Sequence, residues 1–388
     1  MRKASVVIVG AGIMGASVAW HLAARGWRDI LLLDRSPGPG EGSTGKATGG
    51  FRAQFETAVN VRLSLLSRAA LRRFPDEIGV DSGYRPCGYL WIATTPAQME
   101  TLAAARDVQH AEGLTEAVAV TPADILRIQP AISPDGIAGG AWCPSDGFLR
   151  ARAMLDGYLA AAARRGARVE WGTGVTGLTR GHDGRIRSVE TARESIAAGA
   201  VVNAAGAWAS ELGRAAGIDL PVTPLRRQVA LTAPTDLLPE EMPMTIFLED
   251  GFHLRVRDGR VLLLRPTPGV PGRPLDVSVE DDWVRDVTAR GLERVPLLRR
   301  VPVERAACWG GLYEMSPDHH AILGAAPGCP NLFLINGSSG HGVMHAPALG
   351  LLLAEILSEG RARTLDATPL DPGRFAAAGA GTGPAGLL

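Results

Sequence analysis

Two glycine-rich clusters and one arginine carry the chemistry open to this sequence. In the first cluster Gly10, Gly12 and Gly15 stand in G-x-G-x-x-G spacing. An apolar run over 5–10 precedes it and a helical pattern over 13–25 follows. A second apolar run, 30–33, ends in Asp34. This order is the dinucleotide-binding fingerprint in its strand–turn–helix setting. Gly10 serves the tight turn, Gly12 the close approach of a pyrophosphate, and Gly15 the packing of helix on sheet. The helix start at Ile13 and Met14 offers N–H groups and a positive dipole end to phosphates. Asp34, about twenty residues on, suits the adenosine ribose hydroxyls. The fingerprint accepts FAD and NAD equally.

The second cluster separates the two. Asn336-Gly-Ser-Ser-Gly-His-Gly342 follows a strand-like run over 331–335 and precedes a helix expected from 347 to 358. Gly337, Gly340 and Gly342 let backbone approach a flat group, and amides at a helix start favour developing negative charge. A flavin needs this at its N1/O2 edge, where the reduced ring becomes anionic. An ordinary glycine-rich turn would read the same in isolation. Paired with the fingerprint, it makes FAD the expected cofactor.

These clusters need a scaffold. Runs at 88–93, 168–171, 175–179, 185–191 and 200–206 read as strands, and 56–74, 96–112 and 151–165 as helices. Between 221 and 266 the pattern changes to short strands at 222–232, 245–248, 252–256 and 260–264. Asp250-Gly251 and Asp258-Gly259 separate the later ones, as in antiparallel sheet. A helix follows over 279–294. The expected class is α/β: a Rossmann-like FAD-binding domain assembled from discontinuous segments (1–82, 143–218 and 303–375), plus an antiparallel-sheet substrate domain (83–142 and 219–302). The tail 376–388, all small or weakly apolar residues, has little to bury and is expected to be flexible.

Composition narrows the function. At 388 residues the chain can bury two cores. Forty Lys+Arg cancel forty Asp+Glu, which argues against a nucleic-acid or membrane-surface role. Cys87, Cys143, Cys308 and Cys329 are far apart and form no C-x-x-C, so neither a disulfide framework nor a metal site is expected. Met1-Arg2-Lys3 leads straight into the first strand and no run reads as long enough to span a bilayer, so a cytoplasmic protein is expected.

At these motifs the chain resembles the D-amino-acid oxidase superfamily of FAD enzymes, within it the group of sarcosine oxidase β-subunits, proline dehydrogenases and glycine oxidases. The resemblance extends from Ser5 to Phe375. It rests on the first glycine cluster, Asp34-Arg35, Gly42-Ser-Thr-Gly-Lys-Ala-Thr-Gly-Gly-Phe-Arg52, Val201-Val-Asn-Ala-Ala-Gly-Ala-Trp208, Tyr313-Glu-Met-Ser-Pro-Asp318 and the second cluster. It implies oxidation of a primary or secondary amine beside a carboxylate. Arg52 is implied as the grip on that carboxylate, for which a guanidinium fork is suited. Ser43, Thr44, Thr48, Gly49 and Gly50 are implied around the diphosphate and ring, with Arg35 beside Asp34 and the Val175 backbone at the adenine. Ala205, Gly206 and Trp208 are implied as a turn lining the cofactor; for Trp208 plain core packing stands equally open. Gly311, Ser339 and His341 are implied at the flavin, and Tyr313 facing the substrate.

Three departures modify the picture. Gly311 stands where some relatives carry a flavin-linked cysteine, with Cys308 three residues away, so non-covalent FAD is expected. Leu263 stands for an oxygen-activating lysine. Met344 occupies a further lysine position at the substrate, leaving Arg265 as a second cation to consider. His253, His319 and His320 read better as structural or solvated side chains, and His345 is a further polar candidate near the site. The expected reaction is hydride transfer from a sarcosine- or proline-like amine to flavin N5. The acceptor is O2 or a partner, and an oligomer or hetero-subunit is open. The alternatives are a dehydrogenase subunit feeding a partner or quinone, and a non-catalytic FAD-binding assembly protein.

Overall fold

Arg2–Val9 forms the central strand of the computed structural model, which describes residues 2–267 and 275–377. The expected tail lies outside these residues except at 376 and 377. Five parallel strands stand in the order Cys329–Asn336, Ser195–Asn203, Arg2–Val9, Ile30–Leu33 and Arg168–Glu170. Val6 to Val9 and Ile30 to Leu33 are buried on both faces, as continuous apolar runs in a parallel sheet must be. Val9 lies opposite both Leu33 and Asn203, so the strand ends are level. The chain leaves Arg2–Val9 at Gly10 between neighbours reached in opposite directions, the switch point where such sheets bind ligands. Ile322–Ala326 adds an antiparallel edge, and Val175–Arg180 with Ile186–Thr191 forms an antiparallel flap on Ser195–Asn203.

One face of this sheet is covered by helices Ile13–Ala24, Ala58–Ile78, Ala151–Arg164 and Gly342–Glu359. Ile13–Ala24 is apolar around nearly its whole circumference because it is enclosed by Ala151–Arg164 and Gly342–Glu359 as well as the sheet. Ser17 Oγ donates to Ala346 O at 2.7 Å across that contact. Full burial of Leu22, Leu349, Leu352 and Leu353 stabilises this layer by about 2 kcal/mol each. Gly342–Glu359 corrects two expectations. It starts at Gly342, not near Pro347, whose preference for a first turn misled the boundary. It is also long and apolar enough, by length and composition, to cross a bilayer, although most of it is buried within the fold.

The second sheet runs Trp309–Met315, Thr223–Leu231, Arg260–Leu264, His253–Arg257, Met244–Phe247, Tyr89–Ala93, Gly139–Cys143 and Val118–Val120. Helix Asp281–Arg294 packs Trp283, Val284 and Val287 onto its outer face against Leu254 and Leu263. Two details differ from the sequence reading. Met244–Phe247 and Tyr89–Ala93 pair in parallel, so the sheet is mixed. Trp309–Met315, in the segment 303–375 assigned to the cofactor part, hydrogen-bonds into this sheet instead. Its Gly310-Gly311 pair masked its strand character.

Candidate active site

Residues of both sheets enclose a cavity of about 560 Å³, a ligand-sized volume. Its roof follows from strand register, since residues opposed on neighbouring strands point to the same face. Gly311 opposes Arg227, Trp309 opposes Val229, Val229 opposes Leu264, and Leu264 opposes His253. His253 opposes Ile246, which opposes Trp91. All of these line the cavity, as does Tyr313, two residues beyond Gly311 on the same face.

The floor is the switch point. Gly10 has φ +105°, and a Cβ there would lie 2.3 Å from Ala204 O, so only glycine lets the two strand-end turns meet. Gly12, the N-cap of the first helix, has no side chain to cap with. Thr44 Oγ1, from the short helix Ser43–Lys46, supplies the missing acceptor to Ile13 N–H at 3.1 Å. Asp34 Oδ2 accepts from Ala11 N–H and Oδ1 from Ser36 N–H, both at 2.8 Å. This fixes the carboxylate while leaving lone pairs to the cavity. The Arg35 guanidinium lies 3.8 Å over the Trp208 ring, so Trp208 is part of the wall.

Arg52 is 4% exposed and lines the cavity. Its Nη1 donates to Gln54 O at 3.0 Å, and its guanidinium lies 4.2 Å from the Phe55 ring and 5.1 Å from Trp91. Burial holds its pKa below the usual guanidinium value. Nη2 meets His341 Nε2 at 3.2 Å; arginine only donates, so that nitrogen is the acceptor and His341 is neutral with its proton on Nδ1. Buried Asp146 ties the segment behind Arg52, accepting from Ala53 N–H at 2.7 Å and Gln54 Nε2 at 3.2 Å. Burial raises the Asp146 carboxyl to about 6. Ser64 Oγ donates to Arg52 O at 2.8 Å and accepts from His345 Nε2 at 2.9 Å. His253 Nδ1 donates to Gly251 O at 2.9 Å, which leaves Nε2 an acceptor. Burial, with Arg227 and Arg52 nearby, pushes His253 down to about 4.

The family model for FAD dependent oxidoreductases (DAO) matches residues 5–356. This chain belongs to that family. It is 30% identical to a glycine oxidase of Geobacillus kaustophilus, over 92% of this chain and 93% of the relative. It is 30% identical to a mitochondrial dimethylglycine dehydrogenase of Mus musculus over 96% of this chain. The chain spans under half the length of that relative, 44% of it. Among solved structures, L-proline dehydrogenase from P. horikoshii superposes with a TM-score of 0.89 at 26% identity, covering 97% of this chain and 98% of that one.

FAD fits the cavity on three counts. The floor presents the first helix's N-terminus, Asp34 and the Ser43–Thr44 hydroxyls, the donors and acceptors a dinucleotide takes. Ser338 and Glu314 line the cavity, and their buried Oγ and Oε2 atoms make no hydrogen bond of good geometry, so both suit a polar ligand edge. Third, Gly340 has φ +92°, and a Cβ there would stand 2.4 Å from the Tyr313 ring, so the second glycine cluster presents bare backbone. None of the four cysteines lines the cavity, and Cys308 Sγ donates to Glu304 O.

The residues read from sequence gather here with two exceptions. Gly10, Gly12, Ile13, Met14, Asp34, Arg35, Ser43, Thr44 and Thr48 line the cavity, followed by Gly49, Gly50, Arg52, Val175, Ala205, Gly206 and Trp208. So do Gly311, Tyr313, Ser339, Gly340, His341, Gly342 and Met344. Gly15 and Gly337 do not: Gly15 packs under the Gly10 carbonyl, and Gly337 against Ser316 and Ile322, so both shape turns from outside. Met344 is a neutral thioether and supplies no charge to a carboxylate. Leu263 points into the core beneath helix Asp281–Arg294, so its alignment with a lysine says nothing about the cavity. Arg265 is engaged by Asp250 and Asp286. His320 contacts Asp318 and Thr57, and His345 Ser64, all away from the cavity wall.

Four residues were missed or undervalued. Asp146 lies in Pro144-Ser-Asp-Gly, where no local signal marks its burial. Glu314 sat inside a recognised motif; burial raises it to about 7. His253 was discounted. Arg227 lies in Leu225-Arg-Arg-Gln228, where strand alternation sends one arginine of the pair inward.

Proposed function

We propose that the protein oxidises the C–N bond of a small amine bearing a carboxylate, with sarcosine- or proline-like secondary amines first and simple α-amino acids second. The observation that carries this is Arg52: a buried guanidinium, backed by Phe55 and Trp91, on the wall that also holds the second glycine cluster. A carboxylate binds such a fork through charge-assisted hydrogen bonds strengthened by the low local dielectric. FAD, when bound, supplies the two-electron acceptor for a hydride. Arg52 fixes the orientation of the amine, and fixed orientation provides much of the rate. The Trp91, Phe55 and Met344 surroundings disfavour the ammonium form, so the amine keeps the lone pair that forms C=N as hydride leaves carbon. His253 Nε2 accepts, and so can hold, an amine N–H. The imine product then takes up water to give a carbonyl and an amine.

The test is anaerobic. Protein carrying FAD is mixed with sarcosine, proline, glycine and related amines in turn, and the flavin absorbance is followed. Bleaching by one of them is expected, and readmitted air then distinguishes O2 from a partner as acceptor. A bound flavin that no carboxylate-bearing amine reduces would overturn the reading.

A further inference from the structure

Arginine is plentiful in the second sheet, and its fate depends on which way it faces. Arg226 points to the outer side and is engaged by Asp276 and Glu280. Arg265 meets Asp250 and Asp286, Arg260 meets Glu304, and Arg294 meets Glu249. Arg227, one residue from Arg226, points into the cavity. Its Nη1 donates to Thr267 O at 2.8 Å, and its guanidinium stands 5.3 Å from the Tyr313 ring. No Asp or Glu lies within ion-pair distance of it among the described residues. The segments outside that set, 268–274 and 378–388, contain no Asp or Glu in their sequence. Arg227 is half-buried, and a guanidinium partly withdrawn from water without a counter-charge is costly; burial lowers its affinity for the proton. One hydrogen bond to a carbonyl leaves most of its five donors for something else.

Arg227 also shares its part of the cavity with Arg52. His253 feels the charge of both guanidiniums, and the Tyr313 ring lies 5.3 Å from the Arg227 guanidinium. A ligand held at Arg52 by one carboxylate therefore meets a second cation on the roof.

We propose that Arg227 binds a second anionic group on the substrate, so that the preferred amines are dicarboxylates: a carboxylate at Arg52, the oxidisable C–N bond, and a further carboxylate carried on the nitrogen substituent or the side chain at Arg227. This deepens the amine-oxidation reading and rests on it for turnover, but not for binding. The experiment keeps the two apart. Thiodiacetate and (methylthio)acetate are di- and monocarboxylates without a C–N bond, and their binding to the FAD-loaded protein is measured by calorimetry and by flavin spectral change. Wild type is expected to hold thiodiacetate at least tenfold more tightly. Arg227→Gln should erase that preference while leaving (methylthio)acetate affinity within about twofold, the split expected if one charge-assisted contact is lost. Flavin reduction by iminodiacetate and by sarcosine is compared in parallel. Equal affinity for the two thioethers in wild type, or loss of both in Arg227→Gln with flavin content unchanged, overturns the proposal. A retained thiodiacetate preference with no amine able to bleach the flavin overturns the amine-oxidation reading and leaves Arg227 as an anion site.

Discussion

Asp146 offers the sharpest test of how the carboxylate grip is built. Its carboxyl is fully buried and accepts from Ala53 N–H and the Gln54 amide, and Gln54 O in turn receives Arg52. Burial raises it from 3.8 to about 6, so the folded protein holds the proton more tightly than the unfolded chain. The stability this group contributes is therefore complete below about pH 4 and lost as pH rises through 6. Two pKa units correspond to about 3 kcal/mol, of which about half falls between pH 5 and pH 8. Asp146→Asn keeps the shape and one acceptor but cannot ionise. Urea unfolding at pH 5, 6, 7 and 8 should show wild type losing about 1.4 kcal/mol relative to the variant across that range. Because the amide sets a donor against the Gln54 donor, the variant should also bind a carboxylate ligand more weakly at pH 8, with flavin content intact. Parallel pH profiles would refute the assignment of a strained, buried carboxylate behind Arg52.

Arg52→Gln should retain FAD while weakening carboxylate ligands by about 100-fold, the loss of two charge-assisted hydrogen bonds in part replaced by an amide; titration of the flavin spectrum checks it. Gly10→Ala forces a Cβ to 2.3 Å from Ala204 O at φ +105°, and should lower stability by more than about 2 kcal/mol and strip the flavin, seen as a lower melting temperature and colourless protein. His345, buried and pushed down to about 3, contributes stability that is full above pH 6.5 and lost as pH falls toward 3. His345→Gln should flatten that acid slope relative to wild type in urea melts from pH 7 to pH 4.5.

The switch-point half of the site was legible because its signals are local. A buried strand, a glycine triplet, a helix and an acid lie within thirty-five residues, and each is demanded by backbone or phosphate geometry. Arg52 was legible for a different reason, the resemblance of its loop. What stayed hidden depends on contacts between residues far apart in the chain. Asp146 reaches Ala53 and Gln54 across more than ninety positions. The inward turn of Arg227 depends on pairing with Trp309–Met315, a strand whose glycines hid it. Gly15 and Gly337 matched a pattern in spacing, but only the folded chain separates a glycine that lines the cavity from one that lets a turn close.

The bond between Ser17 and Ala346 joins positions 329 apart, and the cavity wall likewise needs both Gly10 and Met344. On the ribosome, the segment that starts the nucleotide floor emerges more than 300 residues before the wall beside it. A cavity able to hold flavin therefore waits on the segment around Gly342 and cannot seed the folding of the floor. A chain stalled before Gly342 has emerged would carry the complete fingerprint and hold no colour.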